Sequence, residues 1–322
     1  MENLIVENTL KQNKRSRLQG YWSRHWGLYA MLLLPMIFFF VFSYLPMINI
    51  LIAFTRNNII LPVLDVIRDG GWVGLANFEA AFEHQQFLNA VRNTIMFSLL
   101  DLLVGFPAPI ILALLLNELR MEKFKKITQT ISYMPHFLSW VIIGGMAVRL
   151  FSDSRQAPGA INNIVYSITG NTVPFLTEPL NWAIINVLFA VWRSLGWNTI
   201  IYLAAITNIS PELYEAADMD GASRLRKMWH VTLPGIRPII VTLLILTIGG
   251  IMGADLARYE AMRNPLVRDV ADVIPTFIFR WALQGNNFSL GAAMGIFQSV
   301  IGMTLVLAGN WIVKKLGGNA FW

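Results

Sequence analysis

Six long apolar runs alternate with more polar segments along the chain. They lie at about 27–53, 88–117, 127–150, 180–206, 237–257 and 288–314. A helix of about 20 apolar residues crosses the hydrocarbon core of a bilayer. Backbone groups in lipid must pair within the protein, and uninterrupted apolar runs favour helices over barrel strands. The pattern therefore predicts an all-α integral membrane protein with six transmembrane helices.

The basic residues predict the orientation of these helices. Lysine and arginine collect before the first run and after the second, fourth and sixth runs, and every lysine lies in one of these four places. Because such segments stay in the cytoplasm, we expect both termini there. The first run is too long for the core of a signal peptide, so we expect it to remain as an uncleaved span.

The predicted organisation follows from the runs and their orientation. It comprises a cytoplasmic tail (1–26), a first transmembrane helix (27–53), an outer loop (54–87), a transmembrane core (88–314) with a cytoplasmic loop (208–236), and a cytoplasmic tail (315–322).

The composition agrees with a lipid environment. Hydrophobic residues make up 55% of the chain and charged residues 14%, whereas soluble domains carry about 25% charged residues. The chain has no cysteine, which excludes disulfides and thiolate chemistry. The net charge of +6 is not gathered on one soluble domain, so we expect membrane lipid and no nucleic acid among the partners.

Candidate catalytic chemistry is missing from the sequence. A P-loop needs a Gly-Lys pair, and the chain contains none. The four histidines are widely separated and none has zinc-ligand spacing. A nucleophile elbow is also absent. We therefore expect no enzyme, no metal and no cofactor in this chain, and any ATP hydrolysis of the P-loop type must come from another polypeptide.

The cytoplasmic loop after the fourth run predicts a short exposed helix. Pro211 suits the first position of a helix, and Gly221 can end it in the left-handed conformation. A second short helix is expected to run to about His230, and Pro234 and Pro238 are expected to close the loop before the fifth span.

This loop carries a spaced motif. Glu215-Ala-Ala is followed by three residues, Gly221, nine residues, Val231, one residue and Leu233-Pro234. The pattern resembles the EAA motif of binding-protein-dependent ABC importer permeases, with Val231 in place of the family's isoleucine. The resemblance implies that the loop couples the permease to an ATPase. The implied coupling residues are Leu213, Glu215, Ala216, Ala217, Met219, Gly221, Leu233 and Pro234.

Other stretches resemble the maltose-type carbohydrate uptake branch of that family. They are 72–78, 89–94 and 192–200, and the stretches 264–273 and 310–318 are similar to the polysaccharide or alginate-oligosaccharide subgroup. The resemblance covers the chain from about residue 27 to its end. It implies the type I ABC importer permease fold and a place in the bacterial cytoplasmic (inner) membrane.

The resemblance also implies a set of partners. These are a related second permease in a heterodimer, two ATPase subunits that carry ATP and magnesium, an extracytoplasmic solute-binding protein and an oligosaccharide.

Polar and aromatic residues within the spans are candidates for the substrate pathway. Arg193 lies midway along the fourth span, where a charge costs about 2.5–3.5 kcal/mol, so it should face a cavity or a partner. Asp101 is the candidate partner by type. The candidate pathway residues are Asn93, Asn186, Trp192, Arg193, Trp197 and Asn198. Interhelical hydrogen bonds and ordinary aromatic packing are the alternative roles for them.

The substrate is the least determined property. An alginate-type or other acidic oligosaccharide is the specific expectation, and several outer arginines would suit it although nearby acids offset them. These arginines are Arg56, Arg68, Arg155, Arg258, Arg263 and Arg268. The alternatives are the import of another solute such as glycerol phosphate, a secondary transporter, and a membrane enzyme acting on lipid-linked sugars. The enzyme would need a grouped acidic pair, which the sequence does not display.

Overall fold

The computed structural model describes residues 25–56, 62–154 and 156–315. Most of the predicted tails (1–26 and 315–322) and Arg155 lie outside the described residues. The described part is almost entirely helical, with one isolated antiparallel bridge between Thr55 and Trp72.

The helices follow one another in a simple order. They are α1 (His25–Phe54), α2 (Val63–Arg68), α3 (Ala76–Glu83), α4 (Gln85–Asn117), α5 (Glu122–Phe137), α6 (Trp140–Phe151), α7 (Ala160–Thr169), α8 (Pro179–Thr207), α9 (Pro211–Met219), α10 (Arg224–Gly249), α11 (Leu256–Met262), α12 (Arg268–Ala271), α13 (Ile274–Ile278, continued by a π-helical turn at Phe279–Gln284) and α14 (Phe288–Lys315).

Five of these helices are long and apolar enough to cross a membrane, namely α1, α4, α8, α10 and α14. They confirm five of the six predicted spans. The remaining predicted span, the third along the chain, was expected as one helix at 127–150. It is instead the pair α5 and α6, which meet at 103°. The break follows Pro135, and Ser139 starts α6 by accepting a hydrogen bond from the backbone N–H of Ile142 at 3.4 Å. Proline removes a backbone donor and the serine caps a new helix, so one straight span cannot form.

The helix α10 also differs from the prediction. It begins at Arg224 rather than 237 and ends at Gly249 rather than 257. Pro234 and Pro238 do not separate a short helix from the span, because both are accommodated inside one continuous helix. A π-helical turn at Met228–Thr232 precedes them and widens the helix where the proline ring needs space.

The long helix α8 forms the centre of the bundle. Its buried Trp182 makes edge-on contact with Phe97 of α4, at a ring separation of 5.8 Å. Nearer its other end, Tyr202 and Ile206 pack with Ile236 of α10 in a second cluster. By contrast, most large apolar side chains of α1 are exposed, as expected for a helix that faces lipid or another membrane protein.

Close helix crossings occur at selected glycines. A Cβ atom at Gly196 of α8 would overlap the carbonyl oxygen of Ser132 of α5. A Cβ at Gly144 would overlap the carbonyl oxygen of Ala261, whereas one at Gly145 would meet nothing within 4 Å. Small residues at such crossings let helix backbones approach each other in lipid.

We predict that Gly196→Ala destabilises the protein by about 1–3 kcal/mol, because the new methyl group forces α5 away from α8. Gly145→Ala is the matched control within a helix, and it should be neutral or stabilising by up to about 1 kcal/mol. Thermal unfolding of the detergent-solubilised protein measures both. Equal midpoints for the two variants would contradict the crossing.

Candidate functional site

A polar cavity of about 260 Å³ lies within the bundle between α4, α6, α8, α10 and α11. Charged and neutral polar groups meet there beside apolar ones. The lining residues are Asp101, Gly105, Phe106, Trp140, Ala190, Val191, Arg193, Ser194, Asn198, Thr247, Asp255 and Arg258. Because a largely apolar lining carries a few hydrogen-bond donors and acceptors, the cavity can bind a ligand that has both apolar faces and hydroxyl groups.

Arg258 ties three helices together at this cavity. Its side chain is 5% exposed, and its guanidinium contacts Asp101 of α4 through Nη1 to Oδ2 at 2.5 Å and Nη2 to Oδ1 at 3.2 Å. Its Nε donates to Oδ1 of Asn186 on α8 at 2.8 Å. A buried charge is tolerated only when it is paired and hydrogen-bonded in this way.

Arg193 has a different partner from the one predicted. The expected pairing with Asp101 is wrong, because Arg258 occupies that carboxylate. Arg193 instead donates from Nε to the carbonyl oxygen of Leu138 at 3.1 Å, and its guanidinium lies 5.1 Å from the centre of the Trp140 ring. Leu138 sits at the break between α5 and α6, where no helical N–H reaches its carbonyl. The arginine therefore satisfies a backbone group that the broken span leaves open.

The charges around the cavity are balanced. Oδ2 of Asp255 accepts a hydrogen bond from Nε1 of Trp140 at 2.5 Å. Oδ1 of Asp255 accepts from the N–H of Ala257 at 3.0 Å, and this bond caps the start of α11. Together with Asp101, it faces the two arginines 193 and 258. Two carboxylates and two guanidiniums leave no net charge at the cavity.

A second candidate region is the short helix α9 at the other end of α8. None of its nine residues is buried, and Leu213 and Met219 are 54% and 89% exposed. It is held to α10 by a 3.0 Å hydrogen bond between the Tyr214 hydroxyl and Thr232. The helix is thus positioned by the bundle but presents its own surface outward.

The turn after α9 is sharply defined. Gly221 has a φ of +68°, which confirms the predicted left-handed conformation. Lys227 then folds back to pair with Asp218 at 2.6 Å. In the described part of the chain, no group of three or more histidine, aspartate or glutamate side chains could hold a metal ion, here or in the cavity.

Comparison with known proteins identifies the family. Residues 86–317 match the family described as the binding-protein-dependent transport system inner membrane component. The chain belongs to this family.

The similarity extends over nearly the whole permease. The chain is 40% identical over 307 residues to the polygalacturonan/rhamnogalacturonan transport system permease protein YteP of Bacillus subtilis. The matched region covers 95% of this chain and 94% of YteP. A crystal structure of a bacterial ABC transporter that imports the acidic polysaccharide alginate contains a chain with 38% identity and a TM-score of 0.83, covering 93% of this chain and 99% of that one. The expected type I ABC importer permease fold is thereby confirmed.

A crystal structure of a bacterial alginate ABC transporter in complex with a periplasmic protein that carries an alginate pentasaccharide also contains a similar chain. That chain again has 38% identity and a TM-score of 0.83, covering 93% of this permease and 98% of its own length.

The structure separates the six candidate pathway residues. Arg193 and Asn198 line the cavity, whereas Asn186 lies behind it and reaches it only through Arg258. Asn93 is buried elsewhere and donates to the carbonyl oxygens of residues 269 and 272 at 2.7 and 2.8 Å. Its contacts are therefore those of a structural anchor for α12.

The two candidate tryptophans lie on the outside of α8. Trp192 is 39% exposed and contacts Phe189 edge-on, and Trp197 is 42% exposed and stacks on His136 at a ring separation of 4.4 Å. Neither lines the cavity.

The eight implied coupling residues fall into two groups. Leu213, Glu215, Ala216, Ala217, Met219 and Gly221 belong to α9 and its turn, whereas Leu233 and Pro234 lie within α10. Glu215 also lines a groove of about 420 Å³ between α9 and the end of α8. The structure thus places the motif on two elements that pack against each other.

Sequence reasoning missed Arg258 and Asp255 as site residues. Arg258 was counted among the outer arginines because the fifth span was expected to end at 257, but the chain re-enters the bundle as α11 after Gly249. Asp255 is a residue type that suits the N-cap of a helix, but this signal alone does not place α11 inside the bundle.

We predict that Arg258→Met lowers the stability of the permease by about 2 kcal/mol, because the partly exposed Asp101 loses its charged partner and the buried Asn186 loses its donor. Arg193→Met is the control and should cost less, since it removes one hydrogen bond to a carbonyl. Thermal unfolding in detergent measures the difference. If the two variants unfold at the same temperature, Arg258 does not tie the helices together.

Proposed function

We propose that this chain is one of two permease subunits of an ABC importer for oligosaccharides and supplies half of the translocation pathway. Its family membership, its similarity to polysaccharide-uptake permeases and its polar cavity support this function. In the proposed machine, the sugar passes along the α8 side of the cavity.

The single observation that carries the coupling part of the proposal is the exposed helix α9. A nine-residue helix without one buried side chain cannot be stabilised by its own core, yet tertiary contacts hold it in place at Tyr214 and Asp218. Its exposed Leu213 and Met219 favour a protein partner. We infer that this partner is an ATPase subunit, and that α9 transmits its motion to α8 and α10.

The partners follow from this role. They comprise a related second permease, two ATPase subunits that bind ATP and magnesium, and an extracytoplasmic solute-binding protein that delivers the sugar. This chain contributes no ATP-hydrolysing group, because its sequence has no Gly-Lys pair for a P-loop. With α9 and the lysine-rich segments in the cytoplasm, both termini are cytoplasmic.

The cavity supports a sugar as cargo. Arg193, Asn198 and Asp255 present both donors and acceptors to a space of about 260 Å³. Sugar hydroxyls both donate and accept hydrogen bonds, so a lining of this kind can exchange partners with them as the sugar moves. The similar Bacillus subtilis permease is named for polygalacturonan and rhamnogalacturonan, and the similar solved transporter for the acidic polysaccharide alginate. We therefore propose oligosaccharides that contain uronic acids.

We predict that Gly221→Pro uncouples ATP hydrolysis from transport. Proline cannot adopt a φ of +68° and has no N–H, so the hydrogen bond from Gly221 to the carbonyl oxygen of Asp218 at 3.0 Å is also lost. Binding-protein-stimulated ATPase activity of the reconstituted complex should fall to its unstimulated level.

Gly170→Pro is a matched control, because Gly170 also ends a helix with a positive φ, of 74°, and donates its N–H to the helix, but lies far from α9 in the chain. This variant should retain stimulation. Normal stimulation in Gly221→Pro would refute the coupling role of α9.

A further inference from the structure

A second polar cavity, of about 380 Å³, lies between α11 and α13. This is the end of the bundle where α10 ends and α14 begins, whereas α9 lies at the end where α8 ends and α10 begins. Its lining residues are Arg263, Asn264, Pro265, Arg268 and Arg280. None of them lines the central cavity, so the two spaces are separate.

Three arginines thus face one space, and their carboxylate partners do not neutralise all of them. Arg263 pairs with Glu260 at 2.8 Å, and Arg280 pairs with Asp272. Arg268 is exposed and forms no ion pair with any residue that the structure describes. Asp269 follows it in the chain, and both residues also line a smaller neighbouring cavity with Asp272, Gln86 and Asn89.

Arg280 is the buried member of the cluster. Its side chain is 10% exposed, and its Nε has no hydrogen-bond partner within the described residues. Burial and the nearby Arg268 and Arg263 lower the pKa of Arg280 to about 10. A bound anion would relieve this repulsion.

Glu260 is an acid whose charge acts on Arg280, although it does not line the cavity. One carboxylate oxygen of Glu260, Oε1, is buried and also lacks a hydrogen-bond partner among the described residues, although its Oε2 pairs with Arg263. This oxygen and the Nε of Arg280 are both enclosed by the protein, so neither faces the cavity. Buried groups of both kinds are costly unless a ligand or water satisfies them.

We propose that this cavity binds a uronate unit of the incoming oligosaccharide, with the sugar carboxylate on Arg268 and Arg280. Guanidinium groups recognise carboxylates through paired hydrogen bonds. A sugar fits better than an acidic side chain of another protein, because Arg280 is buried within a concave space. The inference rests on the proposed function and assigns a substrate-recognition site at the entrance of that pathway.

The test uses the complete importer complex reconstituted in liposomes, with trigalacturonate as the probe and its methyl ester as the neutral counterpart. Arg268→Gln should raise the KM for trigalacturonate uptake by about 10- to 100-fold, because one charge-assisted contact is lost. Uptake of the methyl ester should be much less affected. Arg268→Lys keeps the charge but loses the paired geometry, so its KM should lie between those of the wild type and Arg268→Gln.

Arg68→Gln is the matched control for the loss of one outer positive charge. The Arg68 side chain is 80% exposed, pairs locally with Asp65 at 3.6 Å and does not line the cavity. Its KM should equal that of the wild type. Size-exclusion chromatography checks that every variant assembles.

The outcomes separate the two proposals. If the wild-type complex accumulates no oligosaccharide of either kind, the proposed function fails. If it imports trigalacturonate and Arg268→Gln changes the uptake of both probes equally or not at all, the uronate site is refuted while the importer stands. A loss of binding-protein docking in Arg268→Gln without any sugar would assign the arginines to protein contact and also refute the site.

Discussion

The bundle depends on a buried guanidinium that joins three helices in a region where lipid offers no alternative hydrogen bonds. Arg258 holds Asp101 of α4 and Asn186 of α8 at the same time, and α11 carries it there. In water such a group would be solvated when its partners move apart, whereas within the bundle separating the guanidinium from its partners costs free energy. The arrangement therefore restricts how α4, α8 and α11 can separate, and it places the central cavity beside the restricted point.

The break between α5 and α6, in the third predicted span, is stabilised beside the same cavity. Because α5 and α6 meet at 103°, the carbonyl of Leu138 is left without a helical donor, and Arg193 supplies one. The break brings Trp140 beneath both arginines, and its indole N–H reaches Asp255. An irregular backbone at membrane depth is tolerated where it lines a cavity and its polar groups are satisfied. Residues that line the cavity thus satisfy the polar groups at the break between α5 and α6.

The two ends of the bundle differ in character. At one end, α9 exposes apolar side chains on a small helix anchored to α10, which suits contact with another protein. At the other end, Arg263, Arg268 and Arg280 surround a concave space, which suits a small anionic ligand. Helix α8 runs between these regions and lines the central cavity on its way, so it is the element through which events at the two ends can influence each other.

The amino-acid sequence by itself determined the helical membrane class, five of the spans, the spaced motif around Glu215 and the left-handed turn at Gly221. These features depend on local chemistry, namely apolar length, spacing along one segment and the conformational freedom of glycine. Only the tertiary structure decided the partner of Arg193, the burial of Arg258 and the different positions of Asn93 and Asn198. Pairings of this kind join residues far apart in the chain, and residue type alone does not distinguish an arginine in an outer loop from one that re-enters the bundle.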